Sequence, residues 1–353
     1  MLYMSRFLLL FLFFFTFFNA SSQRLKSKKT LRFTFYNVDC FYDTVSNGLG
    51  ADSLYTPNSI LNWNSEKFSH KAANIAKVLR ATHDSLGPDI AGVYGVENST
   101  VIDALLAEKA LSKLKLSTVF LKGNFSYDQL GQAILFNPKK LKLLHDTAIA
   151  IGKNRLGEEP LQDMLLVKFL TKKKKDTLFV VLVNYDKEIP GFGKNVQARR
   201  INQAMAVSNK LREMKLDPVK YHMVYMGTFF EKPDAAFIQT IMRSSPASNP
   251  NYLFANWINV NVHLMEQQKG TVYQDALPEM FDQVHISPKL YVKEMKDWQY
   301  IRQSLQVFNP VWLQHPYQRF NKYPFPMYFN QTQWIKGYSS HFPLTFLVKY
   351  GKG

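Results

Sequence analysis

Residues 222–233 read His-Met-Val-Tyr-Met-Gly-Thr-Phe-Phe-Glu-Lys-Pro, an apolar run entering a glycine and then a sharp turn. The run predicts a buried strand over 222–227, stopped by the turn that Pro233 closes. Thr228 and Phe230 stand at the strand's end. Neither side chain takes up a proton near neutral pH, and Phe230 has no hydrogen-bonding group.

Outward from this strand the chain alternates strands and helices. Strands are predicted at 31–38, 90–96, 117–121, 132–136, 163–170, 177–184 and 281–286, with a last one closing the 338–348 segment. Helical spacing of apolar residues appears over 70–82, 103–114, 195–214 and 234–243. Thr171 to Asp176 contains four consecutive lysines and predicts a solvated hairpin turn that discourages edge pairing. Such alternation excludes all-α and all-β folds, and the hairpin argues against a purely parallel sheet. Residues 310–328 carry four prolines and many aromatics and predict a long ordered loop.

The amino terminus has the pattern of an export signal: Arg6, an apolar run from Phe7 to Phe18, then Ala20-Ser21-Ser22. The run is too short to span a bilayer as a helix. The expected organisation is a signal peptide at 1–22, a basic lead-in at 23–30 and one domain from 31 to 353. Net charge is +17, and Arg6 is the one charge the signal would remove. A surplus this basic favours anionic partners: nucleic acid, another phosphoester or acidic glycan. Cys40 is the only cysteine, so no internal disulfide forms and thiol metal clusters are excluded. An exported chain without disulfides fits a bacterial envelope, periplasmic or secreted, where a protein partner is the other expectation.

Several further stretches carry a resemblance. Tyr36-Asn37-Val38-Asp39, Pro88-Asp89-Ile90 with Val96-Glu97-Asn98, Val183-Asn184-Tyr185, Phe281-Asp282-Gln283-Val284 and Gly337-Tyr338-Ser339-Ser340-His341 occur in that order. Together with residues 222–233 they resemble the motifs of the endonuclease/exonuclease/phosphatase family, the DNase I-like metal-dependent phosphodiesterases. The resemblance runs from residue 31 to residue 348. It implies an α/β fold, a DNase I-like four-layer sandwich of two mixed β-sheets packed together with helices on the outside.

For the site, the resemblance implies His341, Asp282 and Asn184 as catalytic remnants. Asn37, Tyr185, Thr228 and Phe230 become expected ligand contacts on a less polar cleft floor. Glu97 and Asp39 become the metal ligands, for Mg²⁺ or another divalent cation held weakly, or for none. Thr228 and Phe230 replace the motif's Asp and Asn, Tyr185 its His, Ser340 its Asp and Gln132 its acidic residue. Loss of a single acid–base group commonly lowers the rate about a hundred- to ten-thousandfold. The expected function is therefore an exported, catalytically impaired homologue that binds an anionic ligand or a protein. The alternative is an active Mg²⁺-dependent nuclease, phosphodiesterase or phosphatase in which Asp39, Glu97, Asp282 and His341 converge on a cation.

Overall fold

The computed structural model describes residues 27, 29–48, 50–124, 128–151, 162–187, 195–249, 255–292, 294, 296–320, 322–329 and 333–351. The expected signal segment and most of the basic lead-in lie outside them. From the amino terminus run β1 (Thr30–Phe41), helix α1 (Ser65–Ser85), β2 (Ile90–Val96), α2 (Ser99–Ala107), β3 (Ser117–Leu121), β4 (Gly131–Phe136) and β5 (Leu141–Ile149). Then come β6 (Met164–Thr171), β7 (Asp176–Asn184), α3 (Val196–Glu213), β8 (His222–Thr228), β9 (Ser244–Pro246) and β10 (Trp257–Asn259). The chain continues through β11 (Val272–Gln274), β12 (Leu277–Glu279), β13 (Asp282–Ile286), β14 (Trp298–Tyr300) and β15 (Gln306–Val307). It ends with β16 (Tyr328–Phe329), β17 (Gln333–Trp334) and β18 (Leu344–Tyr350).

Two mixed sheets form. One has the order β14-β18-β1-β2-β4-β3 with β15 beside β18; the other has the order β5-β6-β7-β8-β13-β10-β9. Each holds a central parallel pair, β1 with β2 and β7 with β8. Parallel neighbours need a crossover, which α1 supplies in the first sheet and α3 in the second.

The sheets pack face to face. A methyl group on Gly92 of β2 would lie 2.7 Å from Leu182 Cδ1 and 2.8 Å from Met226 Cε, so the sheets close against each other there. Phe136 and Phe169 meet across the same seam at 5.0 Å between ring centroids. The other face of the second sheet buries Val181, Val183 and Tyr225 against Ala204, Val207 and Leu211 of α3. On the first sheet's outer side, α1 contributes Ile75, Ala76, Val78 and Leu79 to the core. The result is a four-layer α/β sandwich.

Most elements fall where apolar spacing puts them, and the differences have local causes. The helix expected over 103–114 begins earlier and breaks at Glu108, whose extended backbone (φ −56°, ψ 137°) separates α2 from a single turn at Lys109–Ser112. Strand β5 is not foreshadowed, because only Leu141 and Ile149 at its ends are buried and no alternation shows between them. The 310–328 stretch is ordered by two 3₁₀ turns and a bridge between Gln314 and Pro324.

Candidate functional site

The carboxyl ends of the two parallel pairs meet at one end of the sandwich, and the start of β13 and the loop before β18 join them there. Asn37 Nδ2 donates to Thr228 Oγ1 at 3.0 Å, linking the end of β1 to the end of β8. Thr228 Oγ1 donates onward to Asp282 Oδ1 at 2.7 Å. Asp282 Oδ2 lies 2.7 Å from His341 Nδ1. Asn37, Thr228, Asp282 and His341 are all at least nine-tenths buried. They form one polar chain from sheet to sheet.

Burial works against charge on His341, but the Asp282 carboxylate, its hydrogen bond and Asp39 outweigh it and raise the imidazole pKa above its ordinary value. Asp39 has a left-handed backbone (φ 56°). Its Oδ2 accepts from Ser340 N at 2.5 Å and Ser339 Oγ at 3.1 Å, and its Oδ1 from Ser340 Oγ at 2.5 Å. Burial pushes the Asp39 carboxyl up, yet His341, Lys71 and the Ser340 hydrogen bonds together hold it below the usual range.

Asp39 sits where β1 and β2 lose register, between Asn37 and Phe41. The residue facing it there is Gly95, at φ +96°. A Cβ on Gly95 would fall 1.9 Å from the Asp39 carbonyl oxygen.

The model of the endonuclease/exonuclease/phosphatase family matches residues 32–350. The chain belongs to that family.

No curated protein matches the sequence significantly. Among solved structures, the mannosyl-6-phosphatase Bt3783 of Bacteroides thetaiotaomicron is similar at TM-score 0.54 and 12% identity, over 91% of this chain and 100% of that one. The human Nocturnin catalytic domain with bound sulfate is similar at TM-score 0.54 and 13% identity, over 92% and 95%. A family member from Bacteroides vulgatus is similar at TM-score 0.52 and 12% identity, over 91% and 99%. At such identities these likenesses establish the shared fold.

Endonuclease/exonuclease/phosphatase proteins generally depend on a divalent metal, and the residues present test whether this chain fits one. Asp39 and Glu97, the expected metal pair, have different hydrogen-bond partners, Ser339 and Ser340 for the one and the Asp43 amide for the other. Glu97 Oε2 accepts from Asp43 N at 2.8 Å, and its charged neighbours are Asp43, Asp52 and Lys122. Burial, with Asp43 and Asp52, raises the Glu97 pKa to about 7. That leaves Asp39, already capped by two serines and facing a glycine. A hard divalent ion seeks several oxygen ligands in a near-octahedral set. The residues around Asp39 do not fit it.

Tyr185 requires a second correction. It does not line the cleft floor, because the alternation of β7 turns it to the opposite face from Asn184. Its ring is fully buried among Phe229 and Phe237, at 4.9 and 5.4 Å, and its hydroxyl is 2.6 Å from that of Tyr225. Asn184 does face the cleft side, beside Tyr94, with its buried Oδ1 unpaired. Phe230 is half-buried in a left-handed conformation, edge-on to Phe281, with Lys187 Nζ 6.0 Å from its ring centroid.

Sequence reasoning passed over three residues here. Ser339 shares the Asp39 carboxylate with Ser340. Asp186, two residues beyond Asn184, is buried against Arg199 and accepts from Gln203 Nε2 at 3.2 Å. Lys71 lies on the buried stripe of α1, four residues before Ile75, and that spacing was the signal that could have exposed it.

One other ligand-type cluster occurs among the described residues, formed by Asp176, His222 and Asp297. His222 begins β8 and Thr228 ends it, so the cluster lies at the opposite end of the sandwich. Lys289 Nζ already neutralises Asp297 at 2.8 Å.

Proposed function

We propose that this protein is an exported, catalytically impaired member of the endonuclease/exonuclease/phosphatase family whose cleft binds an anionic ligand. The observation that carries this reading is the Asn37–Thr228–Asp282–His341 chain. At its centre stands a hydroxyl with no capacity to accept a proton from water near neutral pH, where the resemblance implies a carboxylate. The raised His341 pKa, the unpaired Asn184 Oδ1 and the basic composition support binding of an oxyanion. So does the nature of two fold neighbours, one named for a phosphatase activity and one holding sulfate.

The purified chain would be screened against nucleic acids, phosphodiesters and phosphomonoesters with Mg²⁺ or Mn²⁺. No hydrolysis above background is expected. Turnover that His341→Ala abolishes would defeat the proposal and favour the second reading, an active enzyme with a rearranged site. The Asp282–His341 pair at 2.7 Å is what keeps that second reading in view.

A further inference from the structure

Lys71 is an anomaly of helix α1. The helix buries Lys71, Ala72, Ile75, Ala76, Val78, Leu79 and Thr82, a continuous stripe in which the lysine occupies a core-facing position. It is 2% exposed. A buried ammonium is strongly unfavourable unless an opposite charge compensates it. Among the described residues its Nζ makes no hydrogen bond and no ion pair within 4 Å. It stands 5.8 Å from the centroid of the Phe41 ring, two residues beyond Asp39. The charges it meets are those of Asp39 and Cys40.

We propose that the Lys71 ammonium is the built-in cation of the cleft, standing beside Asp39 where the family would hold a metal ion, and that the cleft takes a phosphoryl oxyanion through Lys71 and His341 without any divalent metal. Three observations converge on it. The position opposite Asp39 is Gly95, which has no room for a ligand side chain. Glu97 is engaged by Asp43 instead. His341 and Lys71 are the cations that act most strongly on Asp39; Ser339 Oγ ties the His341 amide to the Asp39 carboxylate, and Lys71 Nζ stands over Phe41, two residues further along the chain. Serine donors occupy the carboxylate oxygens, which leaves the ammonium hydrogens free to meet a ligand. A tethered ammonium also supplies point-charge recognition of phosphate without the octahedral geometry a metal demands.

This inference rests on the anion-binding reading, and two measurements separate their failures. The first follows the His341 ring signals by NMR while Mg²⁺ is added to the unaltered chain. The signals should not shift, since a diamagnetic ion at the distant Asp176–His222–Asp297 cluster perturbs only its own surroundings. A saturable shift of His341 at submillimolar Mg²⁺ would overturn the Lys71 inference alone. The second titrates inorganic phosphate by calorimetry in EDTA. The unaltered chain and Lys71→Arg should bind within a few-fold of each other, and Lys71→Met at least tenfold more weakly. Equal binding by Lys71→Met, or binding that EDTA removes, would overturn the role of Lys71. Absence of phosphate binding in every form would overturn the anion-binding reading together with this one.

Discussion

Glu97 is an acid held at the edge of ionisation by its surroundings. Burial first, then Asp43 and Asp52, move its pKa from 4.5 to about 7. A carboxyl raised on folding favours the fold while protonated. The benefit is fully present below the unfolded value and is lost as pH rises through about 7. Glu97→Gln keeps an oxygen for the Asp43 amide and removes the charge. It should stabilise the protein by roughly 1–2 kcal/mol at pH 8, after allowance for solvent screening, and leave stability at pH 4 unchanged. Denaturant unfolding at the two pH values measures the difference, and equal effects at both would show that the charge is not the cause. Asp282 and His341 were singled out in the sequence by their motifs, and the structure sets the two side chains 2.7 Å apart. Lys71 was not singled out, because a lysine inside a helical pattern reads as a solvated face unless its register against Ile75 is followed.

At the scale of elements, the β1–β2 irregularity decides what the cleft can hold. Gly95 combines φ +96° with a carbonyl oxygen 1.9 Å from where its Cβ would be. An L-residue in that conformation is strained even in open space, and here backbone rather than a flexible side chain blocks it. Gly95→Ala should therefore destabilise the chain by at least about 2 kcal/mol. Gly95→Glu should do the same without creating a Mn²⁺ site. Thermal unfolding and Mn²⁺ calorimetry on both variants provide the check, and a stable Gly95→Glu protein that binds Mn²⁺ would contradict it. Element boundaries were readable where burial is continuous, as in β2, whose span of 90–96 was apparent from the apolar run. They were unreadable in β5, which is exposed over most of its length. The facing of Tyr185 was lost for a related reason: a motif places a residue in order along the chain, whereas the pleat decides which sheet face receives it.

In the whole molecule, the two sheets are joined at the cleft by the Asn37–Thr228–Asp282–His341 chain and along their length by apolar packing. Thr228→Val preserves shape and leaves Asn37 Nδ2 and Asp282 Oδ1 without their partner. The expected loss is about 1–3 kcal/mol, read by denaturant unfolding; an unchanged midpoint would mean that the link carries no stability. Enzymes commonly hold reactive groups in strained or under-satisfied arrangements, so that removing them makes the fold more stable while ending turnover. Here the four side chains of that link are bonded to one another. The usual trade between stability and activity is thereby reversed in sign. Selection for a sturdy protein alone would be enough to preserve these four side chains, and their persistence in a lineage would be no record of catalysis.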